Sequence, residues 1–399
     1  MQTRPQCGER HLFPSLTASA YLNHAAISPP STPVLAAANQ AMQDFACLGA
    51  DAMMHWIEQR ERLRHKTAKF LGTQSENIGF PPGTTRGIVD IAQAITFRKG
   101  DKIICFEGEF PSNVIPWMTA AARSGAEVIR LPLEGFETSQ GDGLQRVRET
   151  LLGGDVRLIA VSAVQFQTGL RMPLQELAQL AHETDAELFV DAIQALGAEP
   201  LNVETLGIDY LVAGTHKWLM GMEGLAIAYA APAARQRLVP QTAGWLSCED
   251  GLRFLFEGEG FLRYDRSLKK TLCWMESGVQ TTAPFAALEA SLDILTAIGP
   301  KTIAAHIQTY HNPLESSLMA LGFCSGRAAI ASARSGILSM RAPPEHSVLH
   351  IARGLAQRKI AVSTPDGWLR FAPHWPNHSD EVHRVVDDIK ACLTDPGPR

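Results

Sequence analysis

Cysteine is scarce in the 399-residue sequence, and the cysteines that occur are not clustered. The seven cysteines are scattered, their number is odd, and no Cys-x-x-Cys pair occurs. This distribution argues against a disulfide framework and a zinc site, and it is typical of a protein in a reducing cytosol. We therefore expect a cytoplasmic protein that binds no metal.

Long apolar runs and an excess of positive charge are also missing. No run approaches the length of a membrane span, the N-terminus lacks the apolar core of a signal peptide, and the net charge is −5. These absences predict no membrane and no nucleic-acid partner. The hydrophobic fraction of 45% allows a sizeable core, and the length predicts two domains or one large domain with an appendage.

The middle of the chain alternates short apolar runs with helical segments. Predicted strands lie at 102–108, 127–133, 156–166, 187–194 and 209–217. Helix-length connections between them favour parallel pairing with right-handed crossovers, and the apolar character of the strands indicates helices on both faces of the sheet. The predicted fold class is therefore α/β.

The two ends of the chain differ from this middle. Amphipathic helices are predicted at 34–45, 56–72 and 285–298. After about residue 300 the pattern changes to short strands mixed with helices, which is typical of a smaller α+β domain. We therefore predict an N-terminal segment at 1–20, a large domain at 21–299 and a small C-terminal domain at 300–399.

Polar residues after the strands are candidates for chemistry, because ligands of open parallel sheets bind beyond the carboxyl ends of the strands. Asp191 ends an apolar strand, where its carboxylate would be partly desolvated and would need a cationic or hydrogen-bonding partner. Taken alone, Asp191 is better explained as the N-cap of a helix.

Lys217 makes a functional interpretation of Asp191 stronger. It also follows a predicted strand, and a desolvated lysine can lose its proton and form an imine. An imine-forming lysine and an aspartate that holds a pyridinium nitrogen are two requirements of a pyridoxal 5′-phosphate site. The third is a phosphate cradle, which "GTTRG" at 83–87 offers through Gly83 and the hydroxyl and N–H groups of Thr84 and Thr85.

Several motifs along the chain carry a family resemblance. They are "YLNHAAISPPSTPV", "GTTRGI", "EGEFPSNVIPW", "FVDAIQALGA", "GTHKWLMGMEGLAIAY", "MESGVQTTAPFAALEASLDIL" and "WLRFAPHWPNHSDEV". In this order they resemble class V aminotransferases, the fold-type-I pyridoxal phosphate enzymes that include cysteine desulfurases, selenocysteine lyases, kynureninase and isopenicillin N epimerase. The resemblance runs from about Tyr21 to about Val386. It implies a three-layer fold with a mainly parallel sheet, a smaller α+β C-terminal domain, and a homodimer with the active site at its interface.

The resemblance implies how the cofactor ring would be held. Lys217 would form a Schiff base with it, Asp191 would pair with the pyridine nitrogen, and Gln194 would hydrogen-bond the phenolic oxygen. Phe110 would stack on the ring, as the Phe of kynureninase does where desulfurases often have His. Arg370 would bind the α-carboxylate of the substrate, a bidentate role that suits arginine.

The resemblance also assigns phosphate contacts and further substrate contacts. The phosphate would meet Thr84, Thr85 and His216, and Thr281 or Thr282 would replace the threonine that relatives have at position 279. Asn23 and His24 are candidate substrate contacts, although His24 is explained equally well as a hydrogen-bonded turn residue. One of the three residues at 165–167 would meet the cofactor or the substrate.

One departure from the family pattern bears on the reaction. Cysteine desulfurases of the family carry a nucleophilic cysteine in the loop before the strand that holds the substrate-binding arginine. Here the corresponding segment, "IAVSTPDGWLRFAP", is short and contains no cysteine, and Cys324 and Cys392 lie outside it. The resemblance thus implies carbanion or quinonoid chemistry at Cα of an L-amino acid, lyase- or epimerase-like. One alternative is an aminotransferase with a keto-acid acceptor, and another is a non-catalytic fold relative that acts as a binding subunit.

Overall fold

The computed structural model describes residues 5–394, so the outermost residues of the predicted N-terminal segment and of the predicted C-terminal domain lie outside the described part of the chain. Its strands are β1 (Ala20–Tyr21), β2 (Ile78–Gly79), β3 (Lys102–Phe106), β4 (Glu127–Leu131), β5 (Val156–Ser162), β6 (Glu187–Asp191), β7 (Tyr210–Gly214), β8 (Ala226–Ala230), β9 (Cys324–Ser325), β10 (Leu338–Arg341), β11 (Ile360–Ala361) and β12 (Leu369–Phe371).

The α-helices lie between these strands and at the end of the chain. They are α1 (Thr32–Leu48), α2 (Met53–Leu71), α3 (Thr84–Ala94), α4 (Ile115–Ser124), α5 (Gly143–Leu152), α6 (Leu174–His182), α7 (Pro232–Arg237), α8 (Arg253–Phe256), α9 (Ala283–Ile298), α10 (Pro300–Ala320), α11 (Val348–Gln357) and α12 (Glu381–Thr394). Helix α2 ends as predicted at Gly72, whose φ of 74° is the left-handed conformation that favours glycine.

A seven-stranded sheet forms the centre, in the order β2-β8-β7-β6-β5-β3-β4. The five strands predicted between residues 102 and 217 are β3 to β7, and they pair in parallel. Strands β8 and β2 complete one edge with antiparallel pairing. The prediction of an α/β fold with a mainly parallel sheet is therefore confirmed.

The sheet is buried on both faces, because successive side chains of a strand point to opposite sides. On β6, Leu188 and Val190 pack into a core that includes Leu177 of α6, whereas Phe189 packs into a second core with Trp117 of α4. All three of these strand residues are fully buried. The result is a three-layer arrangement with helices on either side of the sheet.

A separate core lies beyond α9. It gathers residues from α10, α11 and α12 and from β10, β11 and β12, and it also takes in Ala20 and Leu22 from the start of the chain. Strand β1 pairs in parallel with β11, with Ala20 opposite Ile360. Residues 20–22 therefore pack with the C-terminal elements, and the boundary drawn at residue 299 remains a prediction.

Candidate active site

Lys217 and Asp191 lie beyond the carboxyl ends of β7 and β6, close enough for their charges to interact. Burial lowers the pKa of Lys217 to about 8, an effect that Asp191 opposes and that the positive charge of Arg370 reinforces. Burial raises the pKa of Asp191 to about 6, and the Lys217 charge and the N–H of Ile193 oppose this shift. Each group therefore acts on the other's protonation, as the sequence predicted for a lysine and an acid at neighbouring strand ends.

Two phenylalanines form the wall above Lys217. The Nζ atom of Lys217 lies 5.7 Å from the ring centroid of Phe110, which follows β3. The edge of Phe166, from the loop after β5, meets Phe110 with the ring centroids 5.3 Å apart. Phe110 remains 45% exposed, so one face of its ring is available to a planar ligand. Among the three residues at 165–167, Phe166 contacts Phe110, and which of them meets the cofactor or the substrate stays a prediction.

The start of α3 forms an open anion cradle. Its cap residue Gly83 has a φ of 154°, where few residues other than glycine are stable, and a Cβ atom there would meet nothing within 4 Å. The hydroxyl oxygen of Thr84 is buried without a hydrogen-bond partner. Gly214 lies next to both Thr84 and His216: a Cβ atom added to it would be 2.6 Å from the Thr84 hydroxyl oxygen and 3.3 Å from Cε1 of His216. Thr84 and His216 are therefore close to each other.

Thr85 lies on the outer side of this cradle. It is exposed, and its hydroxyl shares a 2.7 Å hydrogen bond with Ser112. The free N–H groups at a helix N-terminus attract anions. The predicted phosphate contacts from α3 and His216 therefore lie together, although their roles stay predictions.

Arg370 on β12 is a buried cation that forms no ion pair with any residue between 5 and 394. Its Nη1 atom donates to the Phe166 carbonyl at 2.7 Å, and its Nε atom donates to Ser363 at 3.0 Å. Burial lowers its pKa to about 10, and no carboxylate opposes that shift. A buried guanidinium of this kind is stabilised by an anionic ligand, which fits the predicted contact with a carboxylate.

Gln194 is buried with contacts at both ends of its amide. Its Nε2 atom donates to the Ala25 carbonyl at 3.0 Å, and its Oε1 atom accepts from the indole of Trp218 at 2.8 Å. An amide nitrogen carries two hydrogens, so one remains for a ligand oxygen. The predicted role of Gln194 is thus compatible with the geometry and stays a prediction.

Asn23 and His24 lie next to Ala372, just after the end of β12. Asn23 pairs with Ala372 and keeps a buried Oδ1 atom without a partner. His24 is 1% exposed, and its Nδ1 atom lies 2.7 Å from the hydroxyl of Ser28. The turn role that the sequence allowed for His24 is present, and the substrate contact of either residue remains a prediction.

Thr281 and Thr282 precede α9, in a different part of the molecule. Thr281 is exposed, and Thr282 lines a cavity together with Trp56 and Arg60. Their predicted contact runs to the phosphate of a neighbouring subunit, and it stays a prediction.

Glu109 is a buried acid of this site that the sequence analysis did not identify. It accepts hydrogen bonds from the backbone N–H of Ser162, at 2.6 Å, and from the Ser162 hydroxyl. Burial, reinforced by the negative charge of Asp191, raises its pKa to about 7. Its position directly before Phe110 was the only signal in the sequence, because its partner lies 53 residues further along the chain.

Two kinds of feature are not found among residues 5–394. No three or more His, Cys, Asp and Glu side chains gather as a metal site. No helix in the same range is long and apolar enough to cross a membrane.

The residues present fit pyridoxal phosphate. The unpartnered Thr84 hydroxyl and the open start of α3 suit its phosphate, and the partly exposed face of Phe110 suits its ring. Lys217, with its lowered pKa, and Asp191 supply the amine and the acid that the cofactor requires. Fold and site together define a fold-type-I pyridoxal phosphate enzyme.

Comparison with known proteins narrows this class. The family model described as "Aminotransferase class-V" matches residues 20–368. The chain therefore belongs to the class V aminotransferase family, and it is an enzyme that uses pyridoxal phosphate. The non-catalytic alternative is not supported.

Individual relatives agree with this placement. An uncharacterized aminotransferase, YcbU, of Bacillus subtilis (strain 168) is 25% identical over 394 residues, which cover 96% of each chain. A cysteine desulfurase of Escherichia coli O127:H6 is 31% identical over 274 residues, 66% of this chain and 63% of that protein. A solved structure of a C-DES mutant with glycine covalently linked to its PLP cofactor covers 96% of this chain and 98% of its own, with 21% identity and a TM-score of 0.87.

Proposed function

We propose that this protein is a lyase or an epimerase that acts on an L-amino acid. The observation that carries the proposal is that Lys217 interacts electrostatically with two buried charged groups, Asp191 and Arg370. Bound pyridoxal phosphate supplies a carbonyl that an amine can join and a protonated ring that withdraws electrons from Cα. The protein supplies the groups that bind, orient and move protons around it.

Arg370 is the residue that selects an α-carboxylate. Two of its nitrogens are fixed by Phe166 and Ser363, which sets the plane of the guanidinium before a ligand arrives. Binding a carboxylate then costs little side-chain entropy and pairs a charge that is otherwise buried alone.

Lys217 is the proton carrier at Cα. With a pKa of about 8, roughly a tenth of its amine is neutral at pH 7, whereas an ordinary lysine is almost fully protonated. Asp191 is deprotonated above about pH 6, and its negative charge would then stabilise a protonated nitrogen of the bound ring. Lys217 would thus take up the Cα proton, and Asp191 would keep the ring protonated.

The loop before β12 favours a lyase or an epimerase over a persulfide relay. Positions 363–367 carry no cysteine. This loop is held against the loop after β5, because Gln167 donates a hydrogen bond to Asp366 at 3.0 Å. Cys324 lies on β9 and Cys392 lies in the core beyond α9. A nucleophilic cysteine near Arg370 is therefore not provided by this loop.

An aminotransferase is the second candidate. It is supported by the name of the Bacillus subtilis relative, which aligns over 96% of both chains. The pocket serves either reaction, because the outcome depends on where the proton held by Lys217 is returned.

We further propose a cytoplasmic homodimer. Helix α1 packs on α9 through Val34 and Ala38, while Leu35 and Met42 on another face are 50% and 65% exposed. Apolar side chains at this spacing form a stripe that a second subunit would cover. Such a subunit would also bring the exposed Thr281 towards its partner's cofactor.

A product assay tests the reaction. The holoenzyme is incubated with a panel of L-amino acids, with and without a keto acid, and the products are identified by mass spectrometry. A keto product or an inverted amino acid formed without an acceptor is expected, and it should disappear in Lys217→Ala. Turnover that requires the keto acid would replace the lyase proposal with the aminotransferase.

A further inference from the structure

Two segments from opposite ends of the chain hold the backbone around Lys217. The N–H of Ser28 donates to the His216 carbonyl at 2.8 Å, and the hydroxyl of Ser28 donates to the Lys217 carbonyl at 2.6 Å. From the other end, Nε2 of His374 lies 2.8 Å from the Trp218 carbonyl. Three consecutive carbonyls are therefore fixed by side chains or backbone from outside the loop.

The hydrogen positions in this network follow from donor counting. A serine hydroxyl has one hydrogen, and Ser28 gives it to the Lys217 carbonyl, so its oxygen must accept from Nδ1 of His24. His374 has the opposite tautomer, because its Nδ1 atom accepts from the N–H of Trp375 at 2.7 Å and Nε2 must then be the donor.

Both histidines are neutral. Burial lowers the pKa of His374 to about 4, and it lowers the pKa of His24 well below 6.5, with a further contribution from His374. The titratable groups that face the His24 ring are Tyr21 and His374, with centroids 5.1 and 5.3 Å away. In the described part of the chain no carboxylate stabilises a charge on His24, so its Nδ1 hydrogen is a fixed part of the structure.

We propose that His24 is a positioning residue for Lys217, acting through Ser28, rather than a residue that contacts the substrate. The imidazole orients the Ser28 hydroxyl, the hydroxyl holds the Lys217 carbonyl, and the held backbone sets the direction of the Lys217 side chain towards Asp191. This inference rests on the proposed role of Lys217 as the cofactor-bound lysine.

Paired substitutions at His24 test the tautomer. In His24→Asn the amide nitrogen is bonded to Cγ, as Nδ1 is, and can still donate to Ser28, whereas in His24→Gln the amide reaches the place of Nε2. Ser28→Ala removes the tether itself. Each holoenzyme is assayed for the pH midpoint of its visible cofactor absorption and for the rate at which the cofactor dissociates.

We expect the Asn and Gln variants of His24 to differ in cofactor release and in absorption midpoint. His24→Gln and Ser28→Ala should release the cofactor about tenfold faster than the wild type, a factor that corresponds to the loss of one buried hydrogen bond. Both should also shift the pH midpoint of the absorption. The release rate of His24→Asn should stay within about twofold of the wild type. Equal behaviour of Asn and Gln, or a wild-type midpoint in Ser28→Ala, would overturn the inference alone. If the wild type shows no visible absorption that Lys217→Ala removes, the proposed function fails and this inference with it.

Discussion

At the scale of single residues, the site is defined by side chains whose protonation the fold has altered. Burial raises the pKa of Asp191 to about 6 and lowers the pKa of Lys217 to about 8, so it favours the uncharged form of both side chains. The sequence could indicate both, because each follows an apolar strand within a recognisable motif. It could not indicate Glu109 or Ser28, because their importance comes from hydrogen bonds to residues 53 and 189 positions away.

Glu109 leads to a prediction about pH. Its folded-state pKa is about 7, above the ordinary 4.5, so the folded protein holds this proton more tightly than the unfolded chain. Its contribution to stability is therefore present below pH 4.5 and is lost as the pH rises through 7. Relative to the wild type, Glu109→Gln should gain about 3 kcal/mol of unfolding free energy between these two limits.

Chemical denaturation of the cofactor-free protein at both pH values measures this difference. The exposed Glu107, two residues earlier, provides the control, since Glu107→Gln removes the same charge from the surface and should give nearly the same effect at either pH. Parallel pH dependence in the two variants would contradict a buried acid at position 109.

At the scale of elements, the predicted strands β3 to β7 and the predicted helices were correct, but several elements were missed, among them β8 and α10. Strand β8 directly follows the glycine-rich turn after Lys217, and no helix-length connection separates it from β7 to mark a new strand. Helix α10 contains Pro313, which argues against a helix, yet it forms because Tyr310, Leu314 and Leu318 are buried in the core beyond α9. Tertiary packing, which the sequence does not display, determined both elements.

A buried ion pair connects α2 to the segment before α9. Arg64 donates to both carboxylate oxygens of Glu276, at 2.7 and 3.0 Å, and the two side chains are 3% and 7% exposed. Removing Arg64 leaves the buried Glu276 carboxylate with the more distant Arg60, at 3.9 Å, and the backbone N–H of Phe80, at 3.2 Å. Arg64→Met should therefore lower the free energy of unfolding by about 3–5 kcal/mol, and adding Glu276→Gln should restore part of the loss.

Lys66 on the same helix serves as the control. It pairs with Asp293 at 2.7 Å but is 39% exposed, so Lys66→Met should cost less than about 1 kcal/mol. Urea denaturation of the three variants measures these values. A cost for Arg64→Met no larger than that for Lys66→Met would show that the buried pair is not a structural anchor.

At the scale of the whole molecule, the apolar stripe on α1 bears on the proposed dimer. Met42 is 65% exposed in the isolated chain, and a glutamate there would place a charge inside the proposed interface. Met42→Glu should weaken dimerisation by at least about tenfold, because a buried unpaired charge costs several kcal/mol.

Sedimentation velocity over a range of protein concentrations measures this effect. Met319 on α10 is the matched control, since it is 55% exposed and lies away from the α1 stripe. Met319→Glu should sediment as the wild type does. A wild-type protein that remains monomeric at high concentration would exclude the proposed interface.

The pairing of β1 with β11 also affects how the chain is made. Residues 20 and 21 find their partners only at residues 360 and 361, so a ribosome must synthesise a further stretch of about 340 residues after β1 before this strand can pair. Until then Leu22 lacks the core in which it ends, and the backbone around Lys217 lacks the support that follows this strand. The capacity to bind cofactor would therefore arise late in synthesis, after translation of the C-terminal strands.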